Sequence, residues 1–387
     1  MRKGVWQEFD GYKEIAEEIE RSFKAGKERS FDRLLADRYI GQLHPKELTL
    51  RVVDIIEETP TAKTLRLSPV EAPLPPFLAG QYIPLFVEID GVRTTRPYSI
   101  SSQPKQTGYY DITIRRVSEG LVSNFLLDRI KAGDLLDSAG PQGTFYFNPL
   151  YHGRHMVCIA GGSGITPFMS MIREIVACGL DREVTLIYGN RHLDDVIFHA
   201  ELESISQRFD NITYIPVIEK PTETFTGACG LINAALIQAV LGDMQEKTFF
   251  LCGPQGMYDF CLPELENLGV ARRNIRKELY GPPVNICDYP GWPSDIKPDE
   301  RFHVTILDGK TISVYAGTPL LVSLEKEGVV PPSICRSGEC SMCRVKILSG
   351  KVFQPAGTPV RKTDTRFGYV HSCVSYPLED LEIMLQK

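Results

Sequence analysis

The chain has no run approaching the roughly 18 consecutive apolar residues that a membrane-spanning helix requires. Its first twenty residues, MRKGVWQEFDGYKEIAEEIE, turn acidic at once and lack the apolar run of a secretory leader. Both absences lead us to expect a cytoplasmic protein without a membrane span. There is no excess of positive charge: 43 Lys and Arg against 49 Asp and Glu leave a formal charge of −6, which gives no reason to expect nucleic acid as a partner. No internal repeat or low-complexity tract is found. The dinucleotide fingerprint G-x-G-x-x-G is also missing, so a nucleotide site of the standard Rossmann kind is not expected. What is present is length, 387 residues with 43 % hydrophobic composition, enough for two or three domains each with a core. There are also ten cysteines, which a reducing compartment keeps as free thiols or ligands.

The character of the sequence changes along its length. In residues 1–46, Ile15, Ile19 and Phe23 recur at i, i+4 and i+8, which predicts an amphipathic helix; Phe31, Leu34 and Leu35 suggest a second. Such a helical extension either packs on the main body or docks a partner. Residues 47–150 hold strand-like runs such as LTLRVVDIIEE and YIPLFVEID between Pro and Gly turns, with one helical patch near Ser123–Lys131; an antiparallel barrel is expected. In residues 151–281 short apolar runs (HMVCIAGG, VTLIYGN, ITYIPVIEK, TFFLCGP) alternate with helical segments, the pattern of a parallel sheet covered on both faces. Residues 282–300 contain five prolines and read as a semi-extended linker. Residues 301–387 open on a hairpin with an Asp-Gly turn, followed by a helix, TPLLVSLEKEGV.

After that helix comes SICRSGECSMCRV. Cys335, Cys340 and Cys343 have the spacing C-x4-C-x2-C, and Cys373 follows after 29 residues. Four thiolates can hold two irons bridged by two sulfides, and the small residues Ser337, Gly338 and Ser341 leave backbone N–H groups free to face the sulfurs. Structural zinc prefers two short C-x2-C knuckles, which this spacing does not supply. Residues 301–387 resemble a plant-type ferredoxin domain, with its β-grasp fold. The resemblance implies that Cys335 and Cys340 hold the outer iron of a [2Fe–2S] cluster, and Cys343 and Cys373 the inner one. Unlike plant ferredoxins, this segment is basic, with 11 Lys and Arg against 8 Asp and Glu; the other 300 residues carry 32 against 41. Arg336, Arg344, Lys346, Arg361, Lys362 and Arg366 lie near the cysteines in sequence. They form either a solvated face or a surface that steers an acidic electron acceptor.

The segment RPYS (96–99) offers a guanidinium for phosphate, a ring to stack on a planar heterocycle and a hydroxyl beside it. In GLVSN (120–124), Gly120 lets a ligand approach the backbone, and Ser123 falls at an expected helix start, where N–H groups favour a phosphate. Together with GQY (80–82) and ITIRR (112–116), these motifs resemble the flavin-binding barrel of the ferredoxin–NADP reductase superfamily. The resemblance implies that Arg96 and Ser123 bind FAD pyrophosphate and that Tyr98 stacks on the isoalloxazine. It places Ser99 near the flavin N5 edge, with Pro97, Thr113, Ile114, Arg115, Gly120, Leu121 and Val122 also against FAD.

CIAGGSGITPF carries Gly161, Gly162 and Gly164 into a helix start at Thr166-Pro167, where a nucleotide can approach the backbone. This loop resembles the nicotinamide-nucleotide loop of the same superfamily. LCGPQG resembles its Cys-Gly-Pro turn, which places Cys252, Gly253 and Pro254 beside the nicotinamide. KELYG resembles its closing segment, with Glu278 lining the hydride-transfer site and Tyr280 covering the flavin face. Asn190 and Arg191 fall where such domains read the ribose 2′ position, so the donor is NADH or NADPH.

The order of the three domains implies an NAD(P)H-dependent oxidoreductase that passes electrons from nicotinamide to FAD, to [2Fe–2S], and on to a protein acceptor. Hydride delivers two electrons and the cluster accepts one, so the flavin divides the pair. Ser99, Cys252 and Glu278 act in this reading as positioning residues for hydride transfer. The resemblance is to reductase components that feed oxygenases, such as those of phthalate dioxygenase and vanillate demethylase. The GLVSN pattern is similar to FAD-binding members such as the phenylacetyl-CoA epoxidase and hybrid-cluster-protein reductases. An oxygenase component, another metalloprotein of anaerobic metabolism, and a redox sensor without turnover remain the alternatives for the terminal role.

Overall fold

The computed structural model describes residues 12–24, 40, 41, 43, 45–71, 73–283, 285–307 and 309–386. The chain divides into an N-terminal unit, residues 1–43, and a main unit, residues 44–387. In the first unit, helix α1 (Tyr12–Lys24) forms where the spacing of Ile15, Ile19 and Phe23 predicts one. The second helix expected around Phe31, Leu34 and Leu35 lies outside the described residues. Among the described residues no helix is long and apolar enough to cross a membrane.

The main unit begins with a six-stranded antiparallel sheet made from β1 (Leu48–Thr59), β2 (Ala62–Pro69), β3 (Tyr82–Ile89), β4 (Val92–Ser99), β5 (Tyr110–Arg115) and β6 (Leu135–Ser138). Its order is β4-β3-β6-β1-β2-β5. An antiparallel bridge from Ile100, just past β4, to Ile112 in β5 joins the two ends of the sheet and closes it into a barrel. Inward side chains, among them Leu50, Leu65, Ile83, Leu85, Ile112 and Ile114, fill its interior. Helix α2 (Leu121–Asp128) starts at Leu121, two residues before the expected start, so Ser123 sits inside its first turn.

A parallel sheet follows, from β7 (His155–Gly161), β8 (Glu183–Asn190), β9 (Ile212–Ile218), β10 (Ala228–Cys229), β11 (Lys247–Cys252) and β12 (Ile275–Glu278), in the order β10-β9-β8-β7-β11-β12. Every pairing in it is parallel. Six of the seven residues of β7 are buried, as expected of a strand covered on both faces. Helices α3 (Thr166–Cys178), α4 (His199–Arg208), α5 (Ala234–Leu241) and α6 (Gln255–Asn267) supply the cover, with separate cores on the two faces. Pro167 lies in the first turn of α3, and Gly179, at φ 57°, ends it in the left-handed conformation that a residue without Cβ adopts cheaply.

The last domain is a mixed sheet of β13 (Arg301–Ile306), β14 (Thr311–Tyr315), β15 (Arg344–Ser349), β17 (Tyr369–His371) and β19 (Leu381–Leu385), in the order β14-β13-β19-β15-β17. A small pair, β16 (Val352–Phe353) with β18 (Tyr376–Pro377), stands apart. Helices α7 (Leu320–Lys326) and α8 (Lys362–Arg366) complete it. The proline-rich segment before this domain is fastened to it. Trp292 packs edge-on against Phe353 and Tyr376, and its Nε1 donates to the Ile296 carbonyl at 3.0 Å.

Candidate functional site

In the parallel sheet the strand order reverses between β7 and β11, whose carboxyl ends therefore flank a crevice. Gly161, Gly162 and Gly164 leave the end of β7; Cys252, Gly253 and Pro254 leave the end of β11. The two turns touch, because any Cβ on Gly164 would collide with the Cys252 carbonyl. Gly162 has φ 54°, and its carbonyl accepts a hydrogen bond from the Tyr188 hydroxyl at 2.7 Å. Thr166 and Pro167 are buried at the start of α3, and the Thr166 hydroxyl donates to the Ser163 carbonyl at 2.9 Å, closing the loop on itself.

One hydroxyl ties this crevice to the barrel. The Tyr280 hydroxyl lies 2.9 Å from the Ser99 Oγ at the end of β4 and accepts from the Cys252 thiol at 3.2 Å. Glu278, two residues earlier, is buried; Tyr258 donates to its carbonyl and accepts from the Gly253 N–H at 3.1 Å. Burial first, then the nearby Glu339 and Cys335, holds the Glu278 carboxyl well above its usual range. Burial likewise raises the Cys252 thiol and the Tyr280 phenol. Cys252 and Tyr280, whose ordinary values already lie above neutrality, are therefore uncharged at neutral pH. Their mutually bonded thiol and hydroxyl suit holding two planar rings together better than acid–base chemistry. Tyr280 keeps 38 % of its surface exposed, so its ring can be displaced without unmaking the core.

On the barrel, Arg96 is half-buried and donates through Nη1 to the Thr94 Oγ1 at 2.9 Å and the Thr95 carbonyl at 2.8 Å. Tyr98 packs on the barrel core beside Pro97. The Ser123 Oγ is buried without a hydrogen-bond partner among the described residues, a cost that an incoming acceptor would remove. The side chains of Thr113, Ile114 and Arg115 are spoken for. Thr113 bonds Thr64 at 2.8 Å, Ile114 is in the core, and Arg115 pairs with Asp195 of the nucleotide domain. That leaves their backbone for a ligand. Gly120 precedes α2, Leu121 faces out and Val122 faces the core. These residues fit an FAD whose phosphates meet Arg96 and Ser123.

At the carboxyl end of β8, the buried Asn190 amide has no hydrogen-bond partner among the described residues and lies near the Tyr188 hydroxyl. Arg191 is exposed, and its Nε is 3.9 Å from the Glu219 carboxylate.

The four cysteines of the last domain converge. Cys335 is in thiol contact with Cys340 and Cys373, and Cys373 with Cys343. The backbone N–H groups of Ser337 and Cys340 point at the Cys335 sulfur at 3.4 and 3.3 Å. Left-handed backbone at Arg336, Gly338 and Ser341 turns the loop so that its amides face inward. Leu321 and Val374 shield Cys343 and Cys373 from water. Among the described residues no three His, Cys, Asp or Glu side chains are arranged around the position of a single metal ion. The thiol contacts instead run as a chain from Cys340 through Cys335 and Cys373 to Cys343, a spread donor set that fits two bridged irons.

Several functional neighbours were invisible in the sequence. Tyr82 and Glu278 both lie within electrostatic reach of Cys335, which brings the cysteine loop to the crevice at Glu278. His371 is fully buried between the Gly338 carbonyl at 2.6 Å and Asp364 at 2.9 Å, bracing the cysteine loop. Asp195 accepts from Thr59 at 2.8 Å and Thr61 at 2.5 Å as well as from Arg115, clamping barrel to nucleotide domain. Arg336, counted by sequence among the cations of a solvated or steering face, is instead buried and bonded to β4. Arg361, Lys362 and Arg366 remain exposed.

Family models match three parts of the chain: an oxidoreductase FAD-binding domain over residues 52–147, an oxidoreductase NAD-binding domain over 158–262, and a 2Fe-2S iron-sulfur cluster binding domain over 305–378. The glycine betaine monooxygenase reductase subunit of Pseudomonas aeruginosa is 30 % identical over 349 residues, spanning 86 % of this chain and 94 % of that protein. NADH oxidoreductase HCR of Escherichia coli is 28 % identical, spanning 86 % and 96 %. Among solved structures, phthalate dioxygenase reductase superposes with a TM-score of 0.63 at 24 % identity, covering 88 % of this chain and 98 % of that one.

Proposed function

The chain belongs to the family of reductase subunits built from FAD-binding, NAD-binding and [2Fe–2S] domains, and from that premise we propose that it delivers electrons from NADH to the oxygenase component of a monooxygenase or dioxygenase system. The observation that carries this reading is the single meeting point of Ser99, Cys252, Glu278 and Tyr280, with the loop of Cys335 in electrostatic reach of it. Bound FAD supplies the exchange of one two-electron hydride for two single electrons. The chain's own residues supply position. Arg96 and Ser123 anchor the phosphates, and Tyr98 backs the ring. Ser99 and Cys252 fix the approach of the two reacting rings. Buried Glu278 closes the crevice to water. Cys335, Cys340, Cys343 and Cys373 hold the cluster. Glu219 beside Arg191 occupies that guanidinium and adds negative charge where a 2′-phosphate would sit, which favours NADH.

Anaerobic titration tests both parts. NADH should bleach the flavin and cluster bands in turn and raise the EPR signal of a reduced cluster, and NADPH should do so only at much higher concentration. If only the flavin bleached, the path from flavin to cluster would be misassigned. Equal response to both nucleotides would remove the role given to Glu219.

Docking of the acceptor is assigned to the exposed cations Arg361, Lys362 and Arg366 with the neighbouring exposed Phe367. The charge balance of this domain, opposite in sign to the rest of the chain, supports an acidic partner face. Electron delivery to the oxygenase should slow as salt rises, while reduction of a small neutral dye should not change. A triple R361Q/K362Q/R366Q variant should flatten the salt dependence; a wild-type slope in that variant would place docking elsewhere.

A further inference from the structure

One side chain of the cysteine loop leaves its own domain. Arg336 follows Cys335, has φ 56°, and is 5 % exposed. Its Nε donates to the Thr95 carbonyl at 2.6 Å and its Nη2 to the Thr94 Oγ1 at 2.9 Å, both on β4 of the barrel. The same Nη2 pairs with the carboxylate of Glu325 in α7, which is also buried and accepts from the Thr94 hydroxyl at 3.3 Å. Arg96 donates to the same two acceptors, the Thr94 Oγ1 and the Thr95 carbonyl. Two guanidinium groups are thus neighbours in a desolvated seam, and among the described residues the one carboxylate that pairs there is Glu325. Burial, and then Arg336, pushes Arg96 down to about 10. A surplus positive charge out of water is costly unless an anion joins it.

We propose that Arg336 and Glu325 of the cluster domain set the charge of the flavin-pyrophosphate site on the barrel, so that this site is completed across the domain boundary. The proposal rests on the reading of Arg96 as a pyrophosphate ligand. Arg336 engages Glu325 and keeps it from Arg96. Without Arg336, the buried carboxylate turns to the nearest cation, Arg96, and competes with the phosphates for it. Without Glu325, both guanidinium groups are left for the anion. Removing both restores one surplus positive charge.

The dissociation constant of FAD, read by flavin fluorescence on dilution of the full-length protein, tests this ordering. R336Q should release FAD at least about ten-fold more readily, since the energy of one close charge is about four times as large in a partly desolvated site as in water. E325Q should hold FAD at least as tightly as wild type. The double variant should return to within about two-fold of wild type, a coupling that independent sites do not show. Iron content, measured on the same samples, reports whether the neighbouring cluster loop has kept its shape. Wild-type affinity in R336Q, a double variant as weak as R336Q, or faster FAD loss in E325Q would each overturn the proposal. Should R336Q not fold, the last two variants still decide, because a purely structural seam would weaken FAD binding in both. R96Q separates the two layers. If it binds FAD as wild type does, the reading of Arg96 fails; if it loses FAD while R336Q does not, only the cross-domain site fails.

Discussion

Replacing Cys343 by serine removes the cluster and leaves the flavin half of the protein working. Cys343 is 2 % exposed and sits among Leu321, Cys373 and Val374. A serine hydroxyl there is a harder, far less acidic donor, and no water can take its place behind that apolar screen. The residues proposed to position hydride transfer, Ser99, Cys252 and Glu278, lie on other domains and do not depend on the thiol. NADH should still reduce the flavin and an artificial dye at wild-type rates. Electron delivery to the protein acceptor should fall by at least about 100-fold, since even outer-shell changes at metal sites reach that scale. Iron analysis and EPR of the reduced protein read the result directly. C261S is the matched control. Cys261 is buried in α6, in the core of the nucleotide domain and outside the ligand set, and its replacement should leave iron content unchanged. A full complement of iron in C343S would show that the ligand set is wrong.

The convergence of the four cysteines was legible because it is nearly all local. Three of the four cysteines fall within nine residues, and the small residues between them carry the loop conformation. The parallel sheet was legible for a similar reason. HMVCIAG, VTLIYGN and TFFLC are continuous apolar runs, which only a strand covered on both faces needs. What could not be read is whatever depends on a partner distant in the chain. Arg336 and Thr94 are 242 residues apart, and Ser99 and Tyr280 are 181 apart. A lone arginine in a polar loop reads as a surface charge; only the seam between barrel and cluster domain makes it a buried one. Likewise Arg115 reads as a residue of the flavin barrel lying against FAD until Asp195 of the next domain is seen to hold its side chain. The helix start also shifted, from Ser123 to Leu121, because Gly120 supplies the extended residue before the first turn and leaves Ser123 buried without a partner among the described residues.

Adding a single methyl group at Gly164 should cut the nucleotide out of the path while sparing both bound cofactors. The turn after β7 passes so close to the turn after β11 that a Cβ at this position meets the backbone of Cys252 and Gly253, not a movable side chain. The two turns must part, and with them the Cys252 thiol moves away from Tyr280 and Ser99. Overpacking of this kind costs about 1–3 kcal/mol of stability, which the nucleotide domain tolerates. The loss in reaction rate is larger, because a displacement of about 1 Å at a hydride-transfer site is enough for roughly a 100-fold loss. In G164A, kcat/KM for NADH should therefore fall about 100-fold, while the flavin and cluster spectra stay as in wild type. Photochemical reduction of the flavin bypasses the nucleotide. It should reduce the cluster of G164A as fast as that of wild type, because Arg96, Arg336 and the seam between barrel and cluster domain are untouched. If NADH reduced G164A normally, the hydride would have to cross somewhere other than the crevice between Gly164 and Cys252. If photoreduction also stalled at the flavin, the nucleotide domain would be shaping the route to the cluster as well, through the clamp of Asp195 on Arg115.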